Sequence, residues 1–189
     1  DVIRVIGREE MRVLDLGCLE GHYADIFCAA GFKEVVCVDL SEEHVKRATF
    51  LLKELKGYEN VTVLQGNVAD RGFLQSLGSF DIVFFHGLLY HLQDPLGIFE
   101  SIDQLLSENG TLLLMTQYKG SYESVLNPRP MAELQIKQLD QEGDTKINTA
   151  DGSAFQRFSL RLNPAALYRV LQSYCYHVIG YYTPTSYSY

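Results

Sequence analysis

Short apolar runs alternate with segments of helical period along the first 115 residues. The runs contain few polar positions, which indicates strands covered on both faces, as in a parallel sheet with helices on each side. The predicted strands are Arg12–Leu16, Val35–Val38, Val61–Leu64, Ile82–Phe85 and Thr111–Met115. Their alternation with helical segments predicts a doubly wound α/β fold in a single domain.

The segments between the strands carry signals for the start of a helix. Ser41 is a favourable N-cap that precedes two acidic residues. The apolar face predicted for its helix consists of Val45, Ala48, Leu52 and Leu55. Asp94-Pro95 and Asn163-Pro164 each place a capping side chain before a proline at the first helical position. The first of these two helices is predicted to stop at Asn109-Gly110.

Residues 117–162 interrupt this pattern. The stretch is polar, contains Asn127-Pro-Arg-Pro130 and has no clear period before Met131–Leu139, where the spacing allows a helix. It follows the fifth strand, beside the carboxyl ends at which doubly wound sheets bind ligands. Two interpretations stay open: a cover over the substrate, or a surface insertion with no role in binding.

The composition is that of an ordinary globular domain, with 189 residues and a formal net charge of −8. This charge disfavours a binder of duplex nucleic acid, which needs a basic face. No apolar run approaches the roughly 20 residues that cross a bilayer. The four cysteines occur singly and are interpreted as reduced residues of a cytoplasmic protein. Because the chain begins without a methionine, we expect it to be part of a longer protein.

The strongest chemical signal is the segment Val13–Gly21, in which a strand leads into a glycine-containing turn and then into a helix. Gly17 and Gly21 suit a turn in which the backbone approaches a ligand closely. Asp39 ends the second strand, 22 residues after Gly17. This spacing is typical of a carboxylate that accepts hydrogen bonds from a ribose diol.

Two ligand classes share this layout, namely dinucleotides and S-adenosylmethionine. A dinucleotide loop uses three glycines to hold a pyrophosphate, whereas Gly17 and Gly21 are separated by three residues and the third glycine is missing. Asp15 and Glu20 place negative charge around the loop. Negative charge repels phosphates but attracts the ammonium and sulfonium groups of S-adenosylmethionine, so the residues favour the second class.

From Arg12 to about Gly180 the sequence resembles the class I S-adenosylmethionine-dependent methyltransferases, which have a Rossmann-like fold. Five motifs in the family's order carry the resemblance. They are Asp15–Gly21, Asp39, Gly66–Val68, the fourth-strand signature Phe80–Leu92 with its Gly-Leu-Leu-Tyr-His-Leu stretch, and Asn109–Leu114. Two positions depart from the pattern, because Leu19 replaces the usual middle glycine and Asn67 replaces a frequent aspartate.

The resemblance implies S-adenosylmethionine as cofactor and S-adenosylhomocysteine as its product. The cofactor-binding residues that it implies are Asp15, Gly17, Cys18, Leu19, Gly21, Asp39, Leu40, Asn67, Val68 and His86. The loop backbone is expected at the methionine part of the cofactor and Asp15 at its ammonium group. Asp39 is expected at the ribose, and the residues after the second and third strands at the adenine.

Methyl transfer needs alignment and exclusion of water, and an oxygen acceptor also needs a general base with a pKa near 7. His86 and His91 flank the carboxyl end of the fourth strand and are the predicted catalytic residues. A structural role for His91, bonded to a backbone carbonyl, is the alternative. Tyr118 and Arg157 are weaker candidates on the substrate side, and His44 is interpreted as a helix-surface residue. No group of residues has metal-ligand spacing.

Together these features predict a methyltransferase acting on an oxygen or nitrogen atom of a small molecule. Two alternatives stay open. The Gly-Leu-Leu-Tyr-His-Leu stretch is also similar to the tRNA uridine carboxymethyltransferases, although the charge of −8 counts against an RNA substrate. The departure at Leu19 allows a non-catalytic methyltransferase-like scaffold. The expected partners are a small methyl acceptor and other domains of a longer chain, without a membrane or nucleic acid.

Overall fold

A computed structural model describes residues 8–117, 132–136, 158–174 and 176. Its centre is a sheet of five parallel strands in the order β3-β2-β1-β4-β5. The strands are β1 (Arg12–Leu16), β2 (Glu34–Asp39), β3 (Val61–Gln65), β4 (Phe80–His86) and β5 (Leu106–Met115). The predicted doubly wound fold is therefore confirmed, with the order of the strands reversing between β1 and β4.

Helices cover both faces of this sheet. They are α1 (His22–Ala29), α2 (Glu42–Thr49), α3 (Arg71–Ser76), α4 (Ile98–Leu105) and α5 (Pro164–Ser173). Side chains alternate along a strand, so Val13 packs among residues of α1 and α2, while Leu14 packs among residues of α3 and α4. Both residues are fully buried, which explains why the strands are apolar without alternation.

The predicted bounds of α4 are wrong at both ends. The Asp94 side chain accepts a hydrogen bond from the Gly97 amide at 2.8 Å, which makes a separate turn, so the helix begins only at Ile98. The helix ends at Leu105 because Leu106 is extended and pairs with Phe80. The pairing then resumes at Ile82 with Thr111, so residues 107–110 form a bulge within the long strand β5 rather than the end of a helix.

The helix after Ser41 begins as predicted, with the Ser41 hydroxyl accepting from the His44 amide at 3.4 Å. Its later course differs, because α2 passes into a π-helical segment, Phe50–Leu55. A π-turn contains more residues than an α-turn and therefore rotates the following side chains. Leu52 stays fully buried, whereas Leu55, predicted on the same apolar face, is 65% exposed.

Part of the insertion forms an antiparallel pair of strands, β6 (Ala132–Ile136) and β7 (Phe158–Leu162). The helix allowed for Met131–Leu139 is thus wrong over its described part, which pairs as a strand instead. Strand β7 lies beside the 3₁₀ turn Leu89–His91 that follows β4. The rest of the insertion, with Tyr118 and Arg157, lies outside the described residues, as does Cys175.

Two further features concern the described part of the chain. Its cysteines, Cys18, Cys28 and Cys37, are buried free thiols, as predicted. None of its helices is long and apolar enough to cross a bilayer.

Candidate cofactor and acceptor site

The loop between β1 and α1 lies against the end of β2. The amides of Gly17 and Cys18 both donate to the carbonyl oxygen of Val38, at 2.8 and 3.0 Å. Gly17 and Gly21 have positive φ angles of 79° and 84°, which glycine adopts without strain. These two amides are therefore engaged within the protein, as is the carbonyl oxygen of Cys18, which accepts from the Gly21 amide at 2.9 Å.

Both glycines are also packed closely by side chains. A Cβ atom on Gly17 would lie 3.0 Å from the Leu88 side chain, and one on Gly21 would lie 2.9 Å from the Leu52 side chain. The loop therefore lies between the segment after β4 and the π-helical end of α2. Leu19, at the position of the missing glycine, also has a positive φ, 50°, and its side chain is exposed.

Asp39 connects the loop to α2. Its Oδ2 atom accepts from the Leu19 amide at 2.9 Å, and its Oδ1 atom accepts from the Ser41 amide at 2.9 Å. The Oδ1 atom also lies 3.1 Å from Nδ1 of His44. With 7% of its surface exposed, Asp39 is a buried carboxylate that is well supplied with donors at the carboxyl end of β2.

Asp15 is also buried, but it has fewer hydrogen-bond donors around it than Asp39. It is 1% exposed, and its Oδ2 atom has no hydrogen-bond partner among the described residues. Burial, with a smaller contribution from the charge of Asp39, raises the pKa of Asp15 to about 7. A buried carboxyl oxygen without a donor is costly, so it marks a place where a ligand donor would be stabilised.

Glu20, the other acidic residue of the loop, is engaged at the surface. Its Oε1 atom lies 2.6 Å from Arg47 of α2, which also pairs with Glu43. The hydrogen bond from Arg47 lowers the pKa of the Glu20 carboxyl. The ion pair connects the loop to α2, and the exposed His22 lies 3.7 Å from Glu20.

The residues predicted for the adenine follow β2 and β3. Val68 is buried, and the Asn67 side-chain oxygen accepts from the Ala69 amide at 2.9 Å. Both line a cavity of about 220 Å³ that continues to Leu92 and Asp94 after β4. The cavity is smaller than the roughly 300 Å³ at which pockets for whole ligands begin, and it suits one ring system. Leu40, directly after Asp39, is partly buried.

The two predicted catalytic histidines lie in different surroundings. His86 ends β4, and its Nε2 atom lies 3.2 Å from the hydroxyl of Tyr23 in α1. Burial lowers the pKa of His86, an effect that a hydrogen bond to its own backbone partly offsets. His91 is exposed in the 3₁₀ turn, with its ring 4.3 Å from the ring of Tyr90.

Two residues of this region were not predicted as site residues. His44 was interpreted as a helix-surface residue, but it contacts Asp39 because a side chain three residues after an N-cap reaches back over the start of its helix. Tyr23 gives no signal in the sequence, because only the packing of α1 on β4 brings it to His86. Among the described residues no group of three or more His, Cys, Asp or Glu could hold a metal ion.

Comparisons with known proteins agree with this architecture. A family model described as a methyltransferase domain matches residues 8–164. The chain therefore belongs to this family, the class I S-adenosylmethionine-dependent methyltransferases, as the resemblance implied.

Among curated proteins, the chain is 28% identical over 156 residues to a tRNA U34 carboxymethyltransferase of Actinobacillus succinogenes, covering 76% of this chain and 48% of that protein. It is 37% identical over 105 residues to a ubiquinone biosynthesis O-methyltransferase of Xanthomonas campestris, covering 56% of this chain and 42% of that protein. The chain thus spans about half the length of the curated relatives it matches.

Two solved structures are similar over most of the chain. The N-terminal domain of EvdMO1, crystallised with S-adenosylhomocysteine and D-fucose, has a TM-score of 0.65 at 23% identity, covering 87% of this chain and 65% of that one. This likeness concerns the fold. The YcgJ protein of Bacillus subtilis has a TM-score of 0.55 at 30% identity, covering 67% of this chain and 53% of that one.

Proposed function

We propose that the protein transfers a methyl group from S-adenosylmethionine to an oxygen or nitrogen atom of a small molecule. The observation that carries this proposal is the buried carboxyl group of Asp15 in β1, whose Oδ2 atom has no hydrogen-bond partner within the part of the chain that the structure describes. The cofactor's ammonium group would supply the donor and the positive charge that this oxygen lacks. When bound, the cofactor would supply a methyl group on a cationic sulfur, and the sulfur would leave as a neutral thioether.

The chain's own residues would bind and orient this ligand. Asp15 would accept from the ammonium group of the methionine part, the loop backbone would lie along that part, and Asp39 would accept from the ribose. Leu40 lies beside the adenine, which enters the cavity next to Asn67 and Val68. Because the oxygen of Asn67 is already bonded to Ala69, its amide nitrogen is the natural donor to the adenine ring.

The acceptor is expected at the carboxyl ends of β4 and β5, beside His86 and Met115. The net charge of −8 favours a small molecule over RNA. The curated relatives include both kinds of enzyme, one named for tRNA U34 and one for ubiquinone biosynthesis. A small-molecule acceptor is the proposal, and tRNA is the outcome that would replace it.

Calorimetry tests the cofactor part of the proposal. S-adenosylhomocysteine should bind with one site per chain, whereas NADH should show no heat under the same conditions. Binding of NADH without binding of S-adenosylhomocysteine would contradict the choice of ligand, and binding of neither would favour a non-catalytic scaffold.

Turnover tests the acceptor part. Release of S-adenosylhomocysteine is measured with separate panels of phenols, alcohols and amines, and with bulk tRNA. A signal from one of the small-molecule panels is expected. Stimulation by tRNA alone would contradict the proposed acceptor while leaving the cofactor assignment intact.

A further inference from the structure

Three rings meet where β4 ends. The Tyr23 ring centroid lies 4.6 Å from that of His86 and 4.9 Å from that of Phe84. Phe84 and His86 stack at 5.6 Å with an angle of 17° between their planes. The stack fixes the imidazole, and the hydroxyl of Tyr23 lies 3.2 Å from its Nε2 atom. Tyr23 is 42% exposed, so the pair of Tyr23 and His86 is in contact with solvent at the carboxyl end of β4.

The proton of His86 sets the direction of its contact with Tyr23. A neutral imidazole carries one N–H, and the nitrogen that carries it decides whether Nε2 donates to or accepts from the Tyr23 hydroxyl. With the proton on Nδ1, Nε2 has a lone pair that accepts from this hydroxyl, and this is the tautomer in which the pair can take up a proton. The Tyr23 oxygen keeps its own lone pairs for a further donor.

The ring is neutral at pH 7 for a physical reason. Burial disfavours the imidazolium and lowers the pKa of His86. Tyr23 is the titratable side chain that contacts the ring from α1. The neighbours along and across the strands, Phe84 and Met115, are uncharged. The ring is thus held as a base and not as an acid.

We propose that Tyr23 and His86 form a proton-accepting dyad in which the Tyr23 hydroxyl meets the methyl acceptor and His86 takes the proton. The inference rests on the proposed function and deepens it. The acceptor atom forms its bond to the methyl carbon as the carbon–sulfur bond breaks, and that electron pair stays on sulfur. The acceptor's proton passes to Oη of Tyr23, and the proton of Tyr23 passes to Nε2 of His86, which later releases it to water.

The dyad also selects a class of acceptor. A hydroxyl or amine that must lose a proton gains from a base, and general-base assistance is typically worth 10²- to 10⁴-fold in rate. A carboxylate already lacks this proton and gains nothing. We therefore expect phenols, alcohols or amines as acceptors, rather than carboxylic acids.

The first test needs no acceptor. In protein labelled with ¹⁵N-histidine, NMR should show neutral His86, assigned by its absence in His86→Gln, with the proton on Nδ1. In Tyr23→Phe, the Nε2 resonance and the midpoint of the His86 titration should both shift. Tyr58→Phe is the matched control, because it removes a hydroxyl bonded to Asp25 of the same helix and should leave His86 unchanged.

A proton on Nε2 in the wild type, or unchanged His86 signals in Tyr23→Phe, would overturn the dyad even if the protein binds S-adenosylhomocysteine. If that ligand does not bind, the proposed function fails independently. With an acceptor in hand, Tyr23→Phe should lower kcat about 10- to 100-fold, leave the KM for S-adenosylmethionine unchanged and abolish the decline of kcat at low pH. Full activity of Tyr23→Phe would contradict the proposal.

Discussion

The Leu19 amide donates to the Oδ2 atom of Asp39 at 2.9 Å, which joins the loop after β1 to the end of β2. The residue predicted to bind the ribose therefore also holds the loop predicted to bind the methionine part. Its second oxygen is held by Ser41 and His44 at the start of α2. The carboxylate thus positions three segments before any ligand arrives.

Replacing Asp39 should weaken ligand binding, because its carboxylate is the proposed ribose contact and also positions the loop after β1. Charge-assisted hydrogen bonds are worth roughly 1.5–3 kcal/mol each, so losing two to a ribose should weaken binding at least about 100-fold. Calorimetry should accordingly show that Asp39→Ala binds S-adenosylhomocysteine at least about 100-fold more weakly than the wild type. Asp81→Ala is the matched control, because Asp81 accepts from Arg12 and Ser107 at the other end of the sheet. Asp81→Ala should lower the free energy of unfolding and leave the affinity for S-adenosylhomocysteine within about twofold. An equal loss of this affinity in both variants would argue against a ribose contact.

Asp15 should destabilise the ligand-free protein at neutral pH. Its pKa is raised from 3.8 to about 7, so the native state binds more protons than the unfolded state between these values. Stability from this group is full below about pH 4 and is lost as pH rises through 7. Asp15→Asn should therefore raise the free energy of unfolding at pH 8, by up to about 4 kcal/mol. Urea denaturation of both proteins at pH 5 and pH 8 measures the difference, which should be larger at pH 8.

The same substitution should weaken binding. Wild-type affinity for S-adenosylhomocysteine should rise between pH 6 and pH 7.5 as Asp15 ionises, whereas the affinity of Asp15→Asn should be lower and nearly flat. A variant that is more stable yet binds as tightly as the wild type at pH 7.5 would show that Asp15 does not meet the ammonium group.

Leu19 carries a conformation that glycine adopts more easily. A non-glycine residue in the left-handed conformation costs roughly 1–2 kcal/mol, and glycine removes this cost. Part of the gain is offset because glycine loses more conformational entropy on folding. Leu19→Gly should therefore be neutral or stabilising by up to about 1 kcal/mol, whereas Leu19→Val should be destabilising by about that amount. Thermal unfolding of the two variants compares them directly, and a large loss in Leu19→Gly would mean that the exposed leucine side chain makes a contact of its own.

Gly21 should be less replaceable than a glycine with the same backbone and open surroundings. A Cβ at Gly21 would lie 2.9 Å from Leu52 and 3.3 Å from Ala48, whereas nothing lies within 4 Å of one at Gly57. Both glycines have positive φ angles, so Gly57→Ala reports the backbone cost of about 1 kcal/mol alone. Gly21→Ala should cost about 1–3 kcal/mol more, because the added methyl overpacks the contact with α2. Equal melting temperatures of Gly21→Ala and Gly57→Ala would show that Leu52 and Ala48 move to accept the added methyl group without cost.

The sheet could be predicted because its residues report their surroundings locally. Val13 and Leu14 are apolar neighbours on opposite faces, which already requires two covering layers. The turn after β1 could also be predicted, since Gly17 and Gly21 have the positive φ angles that glycine favours, and Asp39 ends β2 as its position in the sequence indicated. The cap at Asn163 was correct for the same reason, because its side chain accepts from the Ala166 amide at 2.8 Å.

Features that depend on pairing or packing could not be predicted in this way. The local sequence around Leu106 continues the helical pattern, but Leu106 pairs with Phe80 and is therefore part of strand β5. Leu55 has the helical spacing of a core residue, and only the π-helical winding before it turns it to solvent. Tyr23 reaches His86 through the docking of α1 on β4, across 63 residues of sequence. These contacts are tertiary, so no local pattern encodes them.

The order of the strands has a consequence for the growing chain. β1 lies between β2 and β4, so one edge of Val13–Leu16 has no partner until residues 80–86 have been synthesised. An apolar edge of this kind readily pairs with other chains. A nascent chain that stalls between β3 and β4 would hold the complete glycine loop and Asp39 and yet be prone to aggregation. Synthesis of the second half of the sheet thus protects the first.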